Sequence, residues 1–297
     1  MGHYNHRVHA GNAGDVWKHF LLLEAANCLL DPDSSLVYAE SHVGHPHYSL
    51  KASGDWEGGI GRLWPFLPSL SNFCYFQILA ELNANISSPD RNGLLYPGSA
   101  RLIYELARRK GTGLKAEIWD TDQDVSASWK EFVSAAAASI DSPVSSKSHA
   151  SPVSSESPVY GPCHVTMPVF HQADGFHGVL SWLRRFSSGD LLPKLLLIDP
   201  PYIDPDDVLL SEKLLLEAKE RGWIVLWWYM LDMETAPKDM AAFELHFSEV
   251  GLDAARWQGA AVAVAGPDCE AFERLLDRIQ RQINDFIQIL KSISSEL

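Results

Sequence analysis

The sequence predicts an α/β protein built on a doubly wound, largely parallel sheet, and three observations carry that prediction. Short apolar runs bounded by polar punctuation alternate with amphipathic helical patterns. The length of 297 residues suits one large domain, or one domain with an insertion. The polar clusters Glu40 to Gly44, Asp120, and Asp199 to Tyr202 each follow a strand-like run, and in such sheets ligands bind beyond the carboxyl ends of the strands.

Val16, Phe20, Leu23 and Leu30 recur at helical spacing, with Asp15 as the expected cap and Asp31-Pro32 as the stop. Leu36-Val37-Tyr38-Ala39 then reads as a buried strand that delivers Glu40-Ser41-His42-Val43-Gly44 into a loop. From Ser49 to about Asn92 the pattern changes to short helical pieces rich in Trp, Phe and Gly, among them Trp56, Trp64 and Phe66, without a clear strand. The expectation is an inserted helical subdomain over 49–92, with 1–48 and 93–297 forming the main domain. Arg101 to Lys110 carries Leu102, Ile103 and Leu106 on one side and stops at Gly111, as a capped helix does. Ala116-Glu117-Ile118-Trp119 is a second strand, with Asp120 and Asp122 at its exit.

Between Ser142 and Val159 the chain repeats Ser-Pro-Val-Ser-Ser, a composition with too little apolar surface to offset the entropy of ordering, so 142–159 is expected to be a flexible surface loop. Ala173-Asp174-Gly175-Phe176 opens a further helix through Val179, Leu180 and Leu183. Lys194 to Ile198, Trp223 to Trp228 and Ala260 to Ala265 are three more strands. Trp227-Trp228-Tyr229 lies inside one of them and reads as core rather than as a stacking platform. Phe272, Leu275, Ile279, Ile283, Phe286 and Leu290 mark a closing amphipathic helix expected to pack on the sheet.

Composition excludes several classes. With 46% hydrophobic and 21% charged residues and no apolar run of membrane-spanning length, the chain reads as an ordinary globular protein without a secretory leader, and the cytoplasm is its expected address. Cys28, Cys74, Cys163 and Cys269 lie far apart, which argues against a disulfide framework or a thiolate zinc site. His3, His6 and His9, and His42, His45 and His47, form clusters, but their spacing and the lack of nearby thiolates favour no metal. The net charge of −14 opposes nonspecific coating of a polyanion. A local patch would still act, since charges beyond about 10 Å are screened at cellular salt; Arg101, Arg108, Arg109 and Lys110 are one such patch, read as a solvated helix face.

Asp199-Pro200-Pro201-Tyr202, at the end of the apolar run Lys194 to Ile198, carries the most chemistry. The amino group of adenine is a poor nucleophile, because its lone pair is delocalised into the ring. Two acceptors aimed at its hydrogens, the Asp199 carboxylate and the Pro200 carbonyl, free that lone pair as the nitrogen becomes tetrahedral. The prolines fix φ and give up their N–H groups, keeping the loop out of a helix, and Tyr202 offers a ring on which an extracted base stacks. The bland alternative is a strand that ends in an Asp-Pro turn.

With these residues in view, the chain resembles the bacterial 23S ribosomal RNA (adenine-N6)-methyltransferase family RlmJ. The resemblance rests on the entry segment Tyr4 to His19, on Gly54-Asp55-Trp56-Glu57-Gly58, Tyr96-Pro97-Gly98-Ser99, Ala173-Asp174-Gly175-Phe176 and Ile198-Asp199-Pro200-Pro201-Tyr202, in that order. It implies a Rossmann-like, class I S-adenosylmethionine-dependent methyltransferase fold, with S-adenosyl-L-methionine as cofactor. The implied substrate is 23S ribosomal RNA, protein-free or partly assembled, and the expected form is a monomer with no membrane association. Implied cofactor contacts are His19, His42, Ser99, Asp120, Asp174 and Gly175. Asp199, with Pro200 and Tyr202, is implied as catalytic, and Tyr4 and Lys18 lie on the substrate side. Asp120 is preferred over Asp122 for the ribose hydroxyls. Where the family has Asp-Thr-His-Ala-Gly and a second glycine two residues later, this chain reads Glu40-Ser41-His42-Val43-Gly44-His45-Pro46, and Pro46 removes both an N–H donor and a flexible hinge. Two alternatives stay open: an adenine-N6 methyltransferase of DNA, and a catalytically inactive nucleic-acid-binding relative.

Overall fold

The structure, a computed structural model, describes residues 9–30, 35–50, 53–84, 93–140, 165–187, 189, 192–233, 241–253 and 257–294. Tyr4, His3, His6 and the 142–159 loop lie outside the described residues.

Seven strands form one sheet: β1 (Ser35–Glu40), β4 (Gly113–Asp120), β5 (Val169–Gln172), β6 (Lys194–Ile198), β7 (Ile224–Met230), β8 (Ala242–His246) and β9 (Gly259–Ala265). Their order is β5-β4-β1-β6-β7-β9-β8, parallel from β5 to β7 and antiparallel where β9 meets β7 and β8. A separate antiparallel pair joins β2 (His47–Leu50) to β3 (Leu94–Pro97). Strand order reverses at β1, which is flanked by β4 and β6, so the crevice between these strand ends is where the topology predicts a ligand.

The apolar runs became strands because the sheet is covered on both faces. Along β6, Leu195 and Leu197 enter one core cluster while Leu196 and Ile198 enter the other; Tyr38 and its neighbours Val37 and Ala39 divide in the same way. One face is covered by α1 (Ala13–Leu29), α3 (Cys74–Leu82), α4 (Ser99–Lys110) and α8 (Glu270–Ser294), the other by α6 (Gly175–Leu183) and α7 (Asp207–Glu220). A short α2 (Ile60–Leu63) follows β2, and α5 (Gln123–Ile140) follows β4.

Helix α1 is buried on every side from Ala13 to Ala26, as expected of a helix lying between a sheet and further helices. Trp17, Phe20, Phe73 and Phe286 stack at its centre, with Phe20 and Phe286 4.3 Å apart. The closing helix α8 packs chiefly on α1 and on the 3-10 turn Phe247–Val250, and it shares one core cluster with β9. Asp15 is not the cap of α1 either: Asn12 caps it, accepting from Asp15 N at 2.8 Å, while the Asp15 carboxylate reaches back to Gly11 N at 2.9 Å. This reciprocal arrangement resembles a capping box and frees one Asp15 oxygen for another task. The segment 53–84 adds Ile60, Leu63, Leu70 and Phe73 to the same core as α1, and hydrogen bonds from Ile60 N to Gly11 O and from Asp253 N to Gly58 O tie it to the α1 entry and to the turn after β8.

Strands β5 and β8 sit at the two edges of the sheet, and neither was expected from the sequence. Each is short, and neither shows the continuous burial of the central strands.

Candidate active site

The loop after β6 begins at Asp199, whose Oδ2 lies 2.6 Å from Lys18 Nζ. The same ammonium lies 2.8 Å from Asp15 Oδ1. Lys18 is 5% exposed, so α1 and β6 are joined by a carboxylate–ammonium–carboxylate triad that is largely shut off from water. Burial alone would push the Lys18 pKa down, but the charges and hydrogen bonds of Asp15 and Asp199 outweigh it and hold it well above its usual value. Trp228 of β7 closes the group, its ring centroid 5.6 Å from Lys18 Nζ.

Tyr202 has φ +54°, a left-handed conformation uncommon for a residue with a side chain. Its hydroxyl over-determines that conformation by donating to the Trp228 carbonyl and accepting from Trp227 Nε1 at 2.8 Å. The following turn is held by the buried Asp207 carboxylate, which accepts from Ile203 N at 3.1 Å and Asp204 N at 3.3 Å. Among the described residues nothing donates to the Pro200 carbonyl. The loop thus presents one fixed carboxylate, one unspent carbonyl and one anchored ring.

At the end of β1, Glu40 is 1% exposed and accepts from Tyr38 Oη at 2.7 Å and from Ser99 Oγ. Burial pushes its pKa from the usual 4.5 up to about 8, so at neutral pH the group is largely uncharged. Ser99, expected to face a cofactor, thus spends its hydroxyl proton on Glu40. His42 packs edge-on to Phe176 at 4.7 Å and shares a 2.9 Å hydrogen bond with Ser41 Oγ. Burial lowers its pKa against the pull of Asp199, Asp120, Asp207 and Asp174. One neutral imidazole therefore sits within the field of four carboxylates drawn from three strand ends.

Asp120, at the end of β4, accepts from Gly44 N at 3.1 Å and from Asp122 N at 2.8 Å, joining the β4 exit to the β1 loop. Asp122 instead accepts from Asp124 N at 2.6 Å at the start of α5, a helix-entry role. Asp174 caps α6, accepting from His177 N at 2.8 Å and meeting His177 Nδ1 at 2.7 Å. Burial would raise the Asp174 pKa, but His177 outweighs it and the net shift is downward. A Cβ on Gly175 would lie 1.6 Å from the Ser41 carbonyl, so only glycine lets α6 press against the β1 loop. The close approach expected for that glycine is made to protein backbone. His19 lies deeper, 3% exposed, with Nδ1 2.9 Å from Tyr96 Oη, which in turn bonds Tyr75 Oη at 3.0 Å.

Two further histidines have separate partners: His9 meets Asp55 at 2.7 Å and His45 meets Ser128 Oγ at 2.8 Å. Among the described residues no group of three or more His, Cys, Asp or Glu side chains could hold a metal, and no helix is long and apolar enough to cross a membrane. The basic patch on α4 is largely engaged within the fold. Arg108 pairs with Glu105 at 2.9 Å, Arg109 with Glu81 at 3.4 Å, and Lys110 donates to Asn27 at 2.8 Å.

Two curated proteins and one solved structure are similar to this chain. A "Ribosomal RNA large subunit methyltransferase J" of Haemophilus influenzae is 28% identical over 128 residues, covering 41% of this chain and 44% of that protein. The protein of the same name in Escherichia coli K12 is 30% identical over 129 residues, covering 40% and 43%. The chain thus spans less than half the length of the curated relatives it matches. A crystal structure of a Legionella pneumophila protein, described as DUF519, superposes over 94% of both chains with a TM-score of 0.60 at 16% identity, a likeness of fold. No protein-family model matches the chain. Over these stretches the chain is similar to two proteins named ribosomal RNA large subunit methyltransferase J, and over nearly its whole length it is similar in fold to the Legionella protein.

Proposed function

We propose that this chain is a S-adenosylmethionine-dependent methyltransferase, with the Rossmann-like class I fold, that methylates the exocyclic N6 amine of an adenine in 23S ribosomal RNA. One observation supports the reading above the others: Asp199-Pro200-Pro201-Tyr202 stands at the carboxyl end of β6, beside the reversal of strand order, with Asp199 fixed by Lys18. In this reading 1–48 and 93–297 form the methyltransferase domain and 49–92 its inserted unit. The protein acts as a monomer in the cytoplasm on protein-free or partly assembled RNA.

The residues present suit the cofactor. The charges of Asp120, Asp174, Asp199 and Asp207 are all felt at His42, an acidic surround that favours a cationic sulfonium over an anion. His42, Asp120 and Asp174 would hold it, with His19, Ser99 and Gly175 supporting the site from behind through Tyr96, Glu40 and Ser41. When bound, S-adenosylmethionine supplies an electrophilic methyl group.

The chain's own residues do the rest. Lys18 fixes the direction of the Asp199 carboxylate through Oδ2, which leaves Oδ1 to accept one amine hydrogen. The Pro200 carbonyl accepts the other. Tyr202, unable to swing because both neighbours of its hydroxyl lie on β7, bounds the base. The acceleration comes from acceptors placed before the reaction begins, not from reorganisation during it.

Two measurements test the proposal. Titration calorimetry should show S-adenosylmethionine binding, and mass spectrometry of digested ribosomal RNA should show an N6-methyladenosine present only in cells that carry the protein. Binding without the mark would move the substrate toward DNA. Neither binding nor mark would leave only the inactive nucleic-acid binder.

A further inference from the structure

The reading of Trp227-Trp228-Tyr229 as core holds for two of the three. Trp227 and Tyr229 are 1% and 4% exposed on the α6 and α7 face of the sheet, whereas Trp228 is half-buried on the face toward α1. That alternation sets Trp228 at the Asp199 loop. Its ring centroid lies 6.3 Å from that of Tyr202 at an interplanar angle of 43°, its carbonyl receives the Tyr202 hydroxyl, and the Lys18 ammonium that holds Asp199 lies over its ring at 5.6 Å.

The ring is also fixed in place. Gly14, in the first turn of α1, lies so close that a Cβ there would come within 3.0 Å of the indole Cζ2. The indole nitrogen meanwhile gives the fold nothing: Trp228 Nε1 is buried and bonds no described residue, while Trp227 Nε1 donates to Tyr202. A buried N–H without a partner is unfavourable, and the core residue Trp223 shares that state, so it is the position of Trp228 beside Asp199 that sets it apart. What a partly exposed, immobilised indole beside a carboxylate does offer is an aromatic surface.

We propose that Trp228 is a substrate-binding residue whose indole face, with Tyr202, forms the aromatic corner on which the target adenine stacks in front of Asp199. This rests on the reading of the chain as an adenine methyltransferase. Stacking strength scales with ring overlap and tolerates any aromatic partner, so the corner favours a purine and recognises it by area. Asp199 and the Pro200 carbonyl then read the amine. The two tasks fall on different residues, and substitution separates them.

The experiment compares wild type, Trp228→Phe and Trp228→Leu for methyl transfer from labelled S-adenosylmethionine to protein-free 23S ribosomal RNA. Trp228→Leu should raise the KM for RNA roughly tenfold, with donor affinity unchanged by calorimetry, and Trp228→Phe should restore KM to within about threefold of wild type. A wild-type KM in Trp228→Leu would overturn the proposal. Hydroxyl-radical footprinting of the wild-type protein reads the same contact without a variant: RNA should protect Trp228 from oxidation, and unchanged oxidation of Trp228 in the RNA complex would overturn the proposal as well. Absence of methyl transfer by the wild-type protein to both RNA and DNA would count against the parent function alone, because the footprint still reports whether Trp228 meets a base.

Discussion

The loops that follow β1 and β6 leave adjacent strands at the same end of the sheet, yet they are held in opposite ways. The Asp199 loop is fixed by side chains reaching in from distant elements: Lys18 from α1, Trp227 and the Trp228 carbonyl from β7, Asp207 from α7. The Glu40 to Pro46 loop is fixed mainly at its own backbone groups, which meet the side chains of Asp120, Tyr48 and Trp129 as well as other main chain. Ser41 N donates to Leu197 O at 3.2 Å, Val43 N to Trp119 O at 3.0 Å, Gly98 N to Pro46 O at 3.1 Å, and Gly175 presses on Ser41. The loop that would do chemistry is placed through its side chains, by charge and hydrogen bonds, whereas the loop that would hold the cofactor is placed chiefly through bonds to its main chain and by the close approach of Gly175. Substitutions in the first should act through charge and hydrogen bonding, and in the second through sterics at Gly175 and through the buried carboxyl at Glu40.

The largest expected effect comes from the triad. Lys18→Met leaves Asp15 and Asp199 facing each other without a counter-ion and should destabilise the fold by about 3–5 kcal/mol in urea unfolding. Adding Asp199→Asn should recover part of that loss, because one uncompensated charge is gone. A loss below about 1 kcal/mol would show the triad to be no stronger than a surface pair. Next is Gly175→Ala, whose methyl group must displace the Ser41 backbone. A destabilisation of about 3 kcal/mol, the upper end for overpacking, is expected, and wild-type stability would contradict the steric account of the β1 loop. Tyr202→Phe should follow at about 1–3 kcal/mol, since the Trp227 N–H loses its acceptor.

The smallest and most diagnostic effect is on pH dependence. Burial lifts Glu40 from 4.5 to about 8 and Glu24 from 4.5 to about 7. Both folded-state values lie above the unfolded ones, so the folded protein holds these protons more tightly. The stability they lend is full below about pH 4.5 and is lost as pH rises through about 7 and 8. Glu40→Gln, neutral at every pH, should flatten the decline measured by thermal unfolding between pH 5 and 8. An unchanged slope would show that Glu40 is ionised in the folded state.

Much of this architecture is legible in the sequence, and for physical reasons. β1, β6, β7 and β9 announce themselves because strands covered on both faces are apolar throughout. The α4 stop at Gly111 is equally plain, a left-handed glycine at φ +66°. The edge strands are not. Val169-Phe170-His171-Gln172 is short and half-exposed, so it carries neither a continuous apolar run nor a clear alternation. Nor could local pattern reveal that Asn12 caps α1 while Asp15 turns toward Lys18, because the choice depends on Asp199, which stands 184 positions beyond Asp15 in the chain. Likewise the neutral state of Glu40 follows from its burial, which outweighs the hydrogen bonds that Tyr38 and Ser99 donate to it, and Ser99 arrives from α4. Sequence motifs therefore named the residues, while long-range contacts decided what each one touches.

The central claim, that Asp199 is a preorganised acceptor for an adenine amine, is tested most directly by single-turnover methyl transfer to protein-free 23S ribosomal RNA with wild type and Asp199→Ala, each with donor affinity measured by calorimetry. The account predicts a rate lower by about 10²-fold or more, with donor affinity nearly unchanged. A variant that transfers methyl groups at the wild-type rate would contradict it.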